Sequence, residues 1–297
     1  MGYFDDQGGQ RPALSTEGHP KSVDPHFFER MLDIDVTQLP DYSNAFRDIY
    51  DEKLNGLIVR NVFPKEHMAR VVERLVKQET PFPKTVFPDR FKAFFYGRAL
   101  DGSDPHLSEY LRDATMFRQS CKHLFRDGPD FEERLEEVFR MMAGGRAVKL
   151  PQAPDGRHYT SATIRVLPEG GHIGTHCGNE ASTRPAYNHL NTLIDRKDQI
   201  SFFVTLQDPV EGGELIVYSF QFSQVDESMF DHGHTLVDHV LHLYQQKKYR
   251  PTAGDLLIFD GGRYFHKVDV VKGPRTRWTI GGFCMFSKDA GTLYYWS

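Results

Sequence analysis

Apolar and polar positions follow two different rhythms along the chain, one in each half. The first clear signal is LNGLIVRNVFP at 54–64, a short apolar run that predicts a strand, with Pro64 opening a helix. That helix places Met68, Val71, Val72, Leu75 and Val76 on one face and leaves Lys65, Glu66, Arg70, Glu73 and Lys77 to solvent. Pro81-Phe82-Pro83 ends it. Residues 105–143 read as helical again. The clearest piece starts at Asp130 as N-cap and repeats Phe131, Leu135, Val138, Phe139 and Met142 at helical spacing until Gly144-Gly145.

From about residue 158 the period shortens. HYTSATIRVL, QISFFVTLQ, GELIVYSF, DLLIFD and TRWTIGGFCMFS read as strands, separated by turn residues such as Asp208-Pro209, Gly212-Gly213 and Gly261-Gly262. A helical front and a back of many short strands predict an α+β protein, with helices packed on a sandwich or barrel. Residues 26–297 read as a single domain and 1–25 as a flexible Gly-, Pro- and Asp-rich segment. An insertion at 221–250 is placed where a lid would lie, and 234–247 within it is expected to be helical. Its Leu236, Val237, Val240, Leu241 and Tyr244 face either the barrel or a substrate.

Composition narrows the classes. With 297 residues, 39% hydrophobic and 26% charged, the chain can bury a sizeable core. The net charge of −5 and the lack of a basic run argue against nucleic acid. No apolar stretch approaches the roughly 18 residues of a membrane span. The N-terminus has no signal-peptide pattern, and Asp6 breaks the myristoylation pattern. Cys121, Cys177 and Cys284 are too few and scattered for disulfides or a cysteine zinc site, so reduced thiols in a cytoplasmic enzyme are expected.

The candidate chemistry lies in GGHIGTHCGNE at 170–180, which contains His-x-Gly twice, as His172-Ile173-Gly174 and His176-Cys177-Gly178. Many non-haem iron enzymes hold the metal with His-x-Asp or His-x-Glu on a strand plus a distant His. Here the carboxylate is missing from both copies. Strand alternation puts His172 and His176 on one face, so spacing does not choose between them, whereas Cys177 points the other way, into the core. Glu180 would stand about 13 Å along a strand from His176, at about 3.3 Å per residue, too far to replace the carboxylate without a sharp fold-back.

The distant histidine is His266, in GDLLIFDGGRYFHKV, where an apolar strand, a Gly-Gly turn and a second strand follow one another. Arg277 comes eleven residues later, with Arg275 on the same face. A strand His followed by such an Arg suits iron and the far carboxylate of a chelating diacid, which a guanidinium receives bidentately. Arg165, inside the apolar run TIRVL, needs a partner; it reads as a second cation for the diacid or as half of a structural ion pair. The cluster His232, His234, His239 and His242 lies in a polar insertion with irregular spacing and no cysteine, which argues against zinc. Phe82, Phe87, Phe91, Phe94, Phe95 and Tyr96 form an aromatic segment that could line a pocket.

The runs SATIRVLPEGG, HCGNE, YNHLNTLIDRKDQISFFVTL, EGGELIVYSF and GDLLIFDGGRYFHKV resemble the iron(II)/2-oxoglutarate-dependent aliphatic halogenases of hapalindole-type alkaloid biosynthesis, which act without a carrier protein. The similarity spans about residues 50–285 and is densest between 160 and 270. It implies a double-stranded β-helix (jelly-roll, cupin-like) core with an N-terminal helical layer and a helical lid insertion. It also implies iron(II), 2-oxoglutarate, chloride and dioxygen as cofactors and co-substrate. The family's metal triplet sits directly before an Asn, which selects His176-Cys177-Gly178 before Asn179, with His266 as the second metal ligand.

By the same resemblance Gly178 leaves room for a halide, Arg277 rather than Arg275 receives 2-oxoglutarate, and Ser201 steers the oxidant by hydrogen bonding. The implied reaction chlorinates, and can brominate, an unactivated sp3 carbon of a free-standing, alkaloid-like small molecule. The alternatives are a hydroxylase that tolerates a two-histidine site and a degenerate cupin-like binding protein.

Overall fold

The computed structural model describes residues 27–100, 107–231 and 234–297. The segment 1–25 and His232 of the insertion therefore lie outside the described residues. The first half carries strands β1 (Met31–Asp35), β2 (Gly56–Arg60), β3 (Lys84–Val86), β4 (Phe94–Tyr96) and β5 (Ala147–Lys149). Interleaved with them are helices α1 (Ala45–Tyr50), α2 (Lys65–Val76), α3 (Ser108–Leu124) and α4 (Phe131–Met142). The second half supplies β6 (Thr163–Leu167), β7 (Ile173–His176), β8 (Ile200–Gln207), β9 (Leu215–Gln221) and β10 (Gln246–Tyr249). It ends with β11 (Leu256–Phe259), β12 (Tyr264–Val268), β13 (Arg277–Phe286) and β14 (Thr292–Trp296).

Two sheets face each other. The large sheet runs β1-β2-β11-β8-β13-β6-β4-β3, with β14 and β5 continuing beside β13. The small sheet runs β10-β9-β12-β7. Strand alternation gives the large sheet two characters. Its outer face presents Ile164, Phe202, Val204, Ile258 and Ile280 to Val71, Phe117, Leu135 and Phe139 of the helices, in one continuous core. Its inner face carries Arg165, Ser201, Phe203, Thr205, Phe259 and Arg277, so the candidate site residues of this sheet face the space between the sheets. This is the jelly-roll core with its helical layer.

The helices form as their stripes demand. Asp130 caps α4 by accepting from Glu133 N at 3.0 Å, and all five apolar positions of its stripe are buried. On α2 the stripe stops one residue short: Val76, the last helical residue, is 64% exposed.

The insertion departs from the expected helical lid. Within 234–247 the one helical piece is a 3-10 turn at Leu241–Leu243, after which β10 begins at Gln246 and pairs with β9, Tyr249 opposite Leu215. Val237 and Leu241 pack with Ile216, Tyr218, Phe220 and Phe265 on the outer face of the small sheet. The apolar spacing answers to that sheet, and ladder pairing to an open edge wins over a weak helical period. Leu236 is left 54% exposed, and His239 and His242 face solvent.

Candidate active site

His176 and His266 are cross-strand partners on β7 and β12, and their ring centroids lie 4.2 Å apart. Each ring is oriented by its own strand. His176 Nδ1 lies 2.8 Å from Gly174 O, and His266 Nδ1 lies 2.9 Å from Tyr264 O. A carbonyl oxygen only accepts, so Nδ1 carries the proton in both rings and Nε2 keeps its lone pair. Burial pushes His176 down to about 4, with Arg165 adding to the effect. Burial, His176 and Arg165 together hold His266 well below its ordinary value. Both imidazoles are thus neutral at pH 7 and fit a metal ion.

Of the two His-x-Gly copies, the ladder brings only that of His176 opposite His266. His266 pairs with His176 but Val268 pairs with Ile173, so a bulge interrupts the alternation between them. His172 falls before the strand, and its ring meets Phe91 at 5.3 Å rather than His266. Cys177 is buried with Ile216 and Phe265 behind the small sheet. Glu180 sits in the 3-10 turn Gly178–Thr183, and among the described residues no three His, Cys, Asp or Glu side chains converge as a metal group.

Gly178 is anchored by its N–H, which donates to Gly261 O at 2.8 Å. A Cβ placed on it would stand 2.9 Å from Gln199 Nε2 and 3.2 Å from Gly261 O. Ser201, buried on β8, packs its Oγ against Gly261, where a Cβ would collide with it. A Cβ on Gly262 would strike Gln199 N. The Gly-Gly doublet is required by this close backbone approach.

Arg277 is 5% exposed, lies over Phe203 at 5.3 Å, and reaches Thr279 Oγ1 only at 3.4 Å. Among the described residues it forms no ion pair with a carboxylate. Burial, with Arg165 adding, pushes it down to about 9. A cavity between Thr205, Gly213, Tyr249 and Pro251 reaches it from the surface. Arg165 lies over Phe95 at 5.7 Å and Phe283 at 5.9 Å, near enough to Arg277 to act on its charge. Two cations inside an apolar shell fit a dianion. Arg275 is exposed and engaged with Asp208 at 2.9 Å.

The aromatic segment divides by alternation. Phe95 faces Arg165, whereas Tyr96 turns outward to Trp278 and Phe82.

Sequence reasoning assigned no role to Gln199, although it shares the alternation of Ser201 two positions on. It also passed over the support of the Gly-Gly turn. Arg263 Nη2 donates to Asp198 at 2.6 Å, Arg263 Nη1 lies 3.1 Å from Asp260 Oδ2, and Asn179 Nδ2 donates to Asp198 at 2.8 Å. Burial lifts Asp260 to about 7, Asp198 and Glu52 adding and Arg263 opposing. An acid raised from about 4 stabilises the fold most below that pH, and the contribution is lost as pH rises through about 7. Asp260→Asn is therefore expected to lower or leave the Tm at pH 5 and to raise it at pH 8 relative to the parent. A Tm difference that stays constant across that range would refute the assignment.

A family model described as the carrier-protein-independent halogenase WelO5 matches residues 28–297. A comparison with curated proteins finds no match. Among solved structures the chain is similar to an N-substituted L-amino acid dioxygenase from Burkholderia ambifaria AMMD, with 15% identity over 84% of this chain and 90% of that one and a TM-score of 0.52. It is similar also to the α-ketoglutarate-dependent epimerase SnoN of nogalamycin biosynthesis, with 12% identity over 84% of this chain and 85% of that one and a TM-score of 0.49. At such identities the first likeness speaks to the fold alone. By the match over 28–297 the chain belongs to the carrier-protein-independent halogenase family: it is a non-haem enzyme using iron(II), 2-oxoglutarate, chloride and dioxygen on a small molecule not tethered to a carrier.

Proposed function

We propose that His176 and His266 hold the iron, that chloride takes the place beside Gly178, and that Arg277, with Arg165 alongside, receives 2-oxoglutarate. Iron, 2-oxoglutarate and dioxygen together supply an oxidant that removes a hydrogen atom from a C–H bond, and chloride supplies the atom that replaces it. The chain's own residues do the rest. The Gly174 and Tyr264 carbonyls fix both imidazoles in the tautomer that offers Nε2. Arg277 and Arg165 favour a dianionic ligand in a space closed by Phe95, Phe203 and Phe283. Ser201, against Gly261, offers a hydroxyl on the same side as Gly178 and biases where the oxidant points. The substrate carbon must then lie nearer the halide than the hydroxyl source, a matter of positioning.

The observation that carries this reading is a histidine pair, His266 buried and His176 half-buried, whose neighbouring triplet position is a glycine, with no third side-chain ligand among the described residues. The aromatic walls suit a largely apolar, alkaloid-like substrate. Bromide is expected to substitute for chloride. Three buried free cysteines suit a reducing, cytoplasmic setting, and among the described residues no helix is long and apolar enough to cross a membrane.

Two measurements test it. Anaerobic protein loaded with iron(II) and 2-oxoglutarate should show a visible charge-transfer band that shifts on adding chloride. Gly178→Asp should lose that shift and convert chlorination to hydroxylation, because the new carboxylate would take the halide's place; its Cβ must push aside the end of Gln199 and stands tight, at 3.2 Å, against Gly261 O. A folded Gly178→Asp variant that still responds to chloride would refute the halide position.

A further inference from the structure

Gln199 is 1% exposed, and neither its Nε2 nor its Oε1 has a hydrogen-bond partner among the described residues. A buried side-chain amide idle at both ends is rare in a folded protein and calls for an explanation. Mobility is a poor one, because the backbone around it is held from both sides. Gln199 N donates to Asn179 Oδ1 at 3.3 Å, and Gly262 N donates to Gln199 O at 2.6 Å. Asn179 is tied in turn to Asp198, and Asp198 to Arg263. The network fixes the root of the side chain and leaves its head without a hydrogen-bond partner among the described residues.

That head is aimed at one place. Nε2 lies 2.9 Å from where a Cβ on Gly178 would stand, the starting point of the carboxylate that His-x-Asp sites carry. We propose that Gln199 Nε2 donates a hydrogen bond to the halide beside Gly178, making Gln199 a positioning residue for that ion. The inference rests on the halide position argued above.

The chemistry fits an anion. A halide that leaves water for a buried site loses its hydration donors and accepts hydrogen bonds only. An amide N–H restores one donor without adding charge, so the ion keeps its negative charge beside the metal. The two guanidinium groups of the site, Arg277 over Phe203 and Arg165 over Phe95 and Phe283, are assigned above to 2-oxoglutarate rather than to the halide. Gln199 lies just before β8 and two residues before Ser201, and the two pack against the Gly261-Gly262 turn, Ser201 on Gly261 and Gln199 on Gly262, so one donor would suit the halide and one the oxidant.

The test uses Gln199→Leu and Gln199→Met in the full chain, loaded anaerobically with iron(II) and 2-oxoglutarate and titrated with chloride while the visible band is followed. Chloride affinity should weaken about ten- to hundredfold, the usual range for losing a hydrogen bond to a charged group. The 2-oxoglutarate affinity should stay within about twofold, and the metal-free Tm should equal or exceed that of the parent, since the amide makes no protein hydrogen bond to lose. Chloride affinity unchanged in either folded variant would overturn the proposal, as would 2-oxoglutarate affinity falling in step with it. Failure of both variants to fold would show that Gln199 is structural and would overturn it too. A parent protein with no chloride response would remove the halide position and this proposal together, whereas a responsive parent with an equally responsive variant would remove only Gln199.

Discussion

His266→Ala is expected to abolish stable iron binding while leaving the fold intact. The site already lacks the carboxylate of the usual two-histidine, one-carboxylate arrangement, so the variant would keep a single side-chain ligand. Removing only an outer-shell partner of a metal ligand typically costs roughly ten- to hundredfold in affinity. Loss of the ligand itself should exceed that and drop 2-oxoglutarate turnover by about a thousandfold or more. The fold should survive, because His266 lies on the inner face and the helical core is built on the opposite face of the other sheet. The cost is a cavity beside Phe259, whose ring stands 4.8 Å from His266, and a Tyr264 carbonyl that loses its donor, together about 2–4 kcal/mol. Anaerobic iron titration, with thermal melting alongside, checks both halves. A well-folded variant that still binds stoichiometric iron would refute the ligand assignment.

Arg277→Leu is expected to move two quantities in opposite directions. In the protein without ligands, burial and the nearby Arg165 push the guanidinium down to about 9. A base depressed in the fold costs stability wherever it is charged, fully at pH 7 and progressively less as pH rises from about 9 toward its ordinary 12.5. Leucine removes that cost, so the ligand-free Tm should rise near neutral pH. The same change removes the partner of the diacid, and truncating one member of a buried, hydrogen-bonded charge pair costs about 2–5 kcal/mol, a weakening of 2-oxoglutarate binding on the order of a hundredfold or more. The parent should melt higher when 2-oxoglutarate is added, by linkage, and the variant should not. A variant destabilised without ligand, yet still stabilised by 2-oxoglutarate, would remove Arg277 from the site.

The strand positions of these two candidates were readable before any coordinates because their signals are local. A histidine entering a strand after a Gly-Gly turn, with an arginine on the next strand, follows from alternation and turn chemistry, which short windows of sequence carry. The helical layer was legible for the same reason: the stripe of α4 needs only its own 12 residues to declare itself.

The insertion misled because its apolar spacing fits a helical period, and what satisfies it is a sheet face built from residues far away in the chain. The choice between His172 and His176 was not legible from spacing either. Which of them stands opposite His266 depends on a bulge in the ladder with β12, a pairing between segments about 90 residues apart, and only the resemblance pointed to His176 in advance. Gln199 is the sharpest case. Nothing in a glutamine next to a strand marks it, since most such residues face water. Only the packing of Gly262 onto its backbone and of Gly178 beside its amide turns it into a buried donor with no partner among the described residues.

What the sequence by itself determined, then, was the fold class, the helical layer, the candidate histidines and arginines and the missing carboxylate, all encoded in residue type and short-range period. Tertiary structure alone decided which histidine faces which, where the insertion packs, and that an idle amide points at the glycine, because register and burial arise from contacts between distant segments that no local pattern contains.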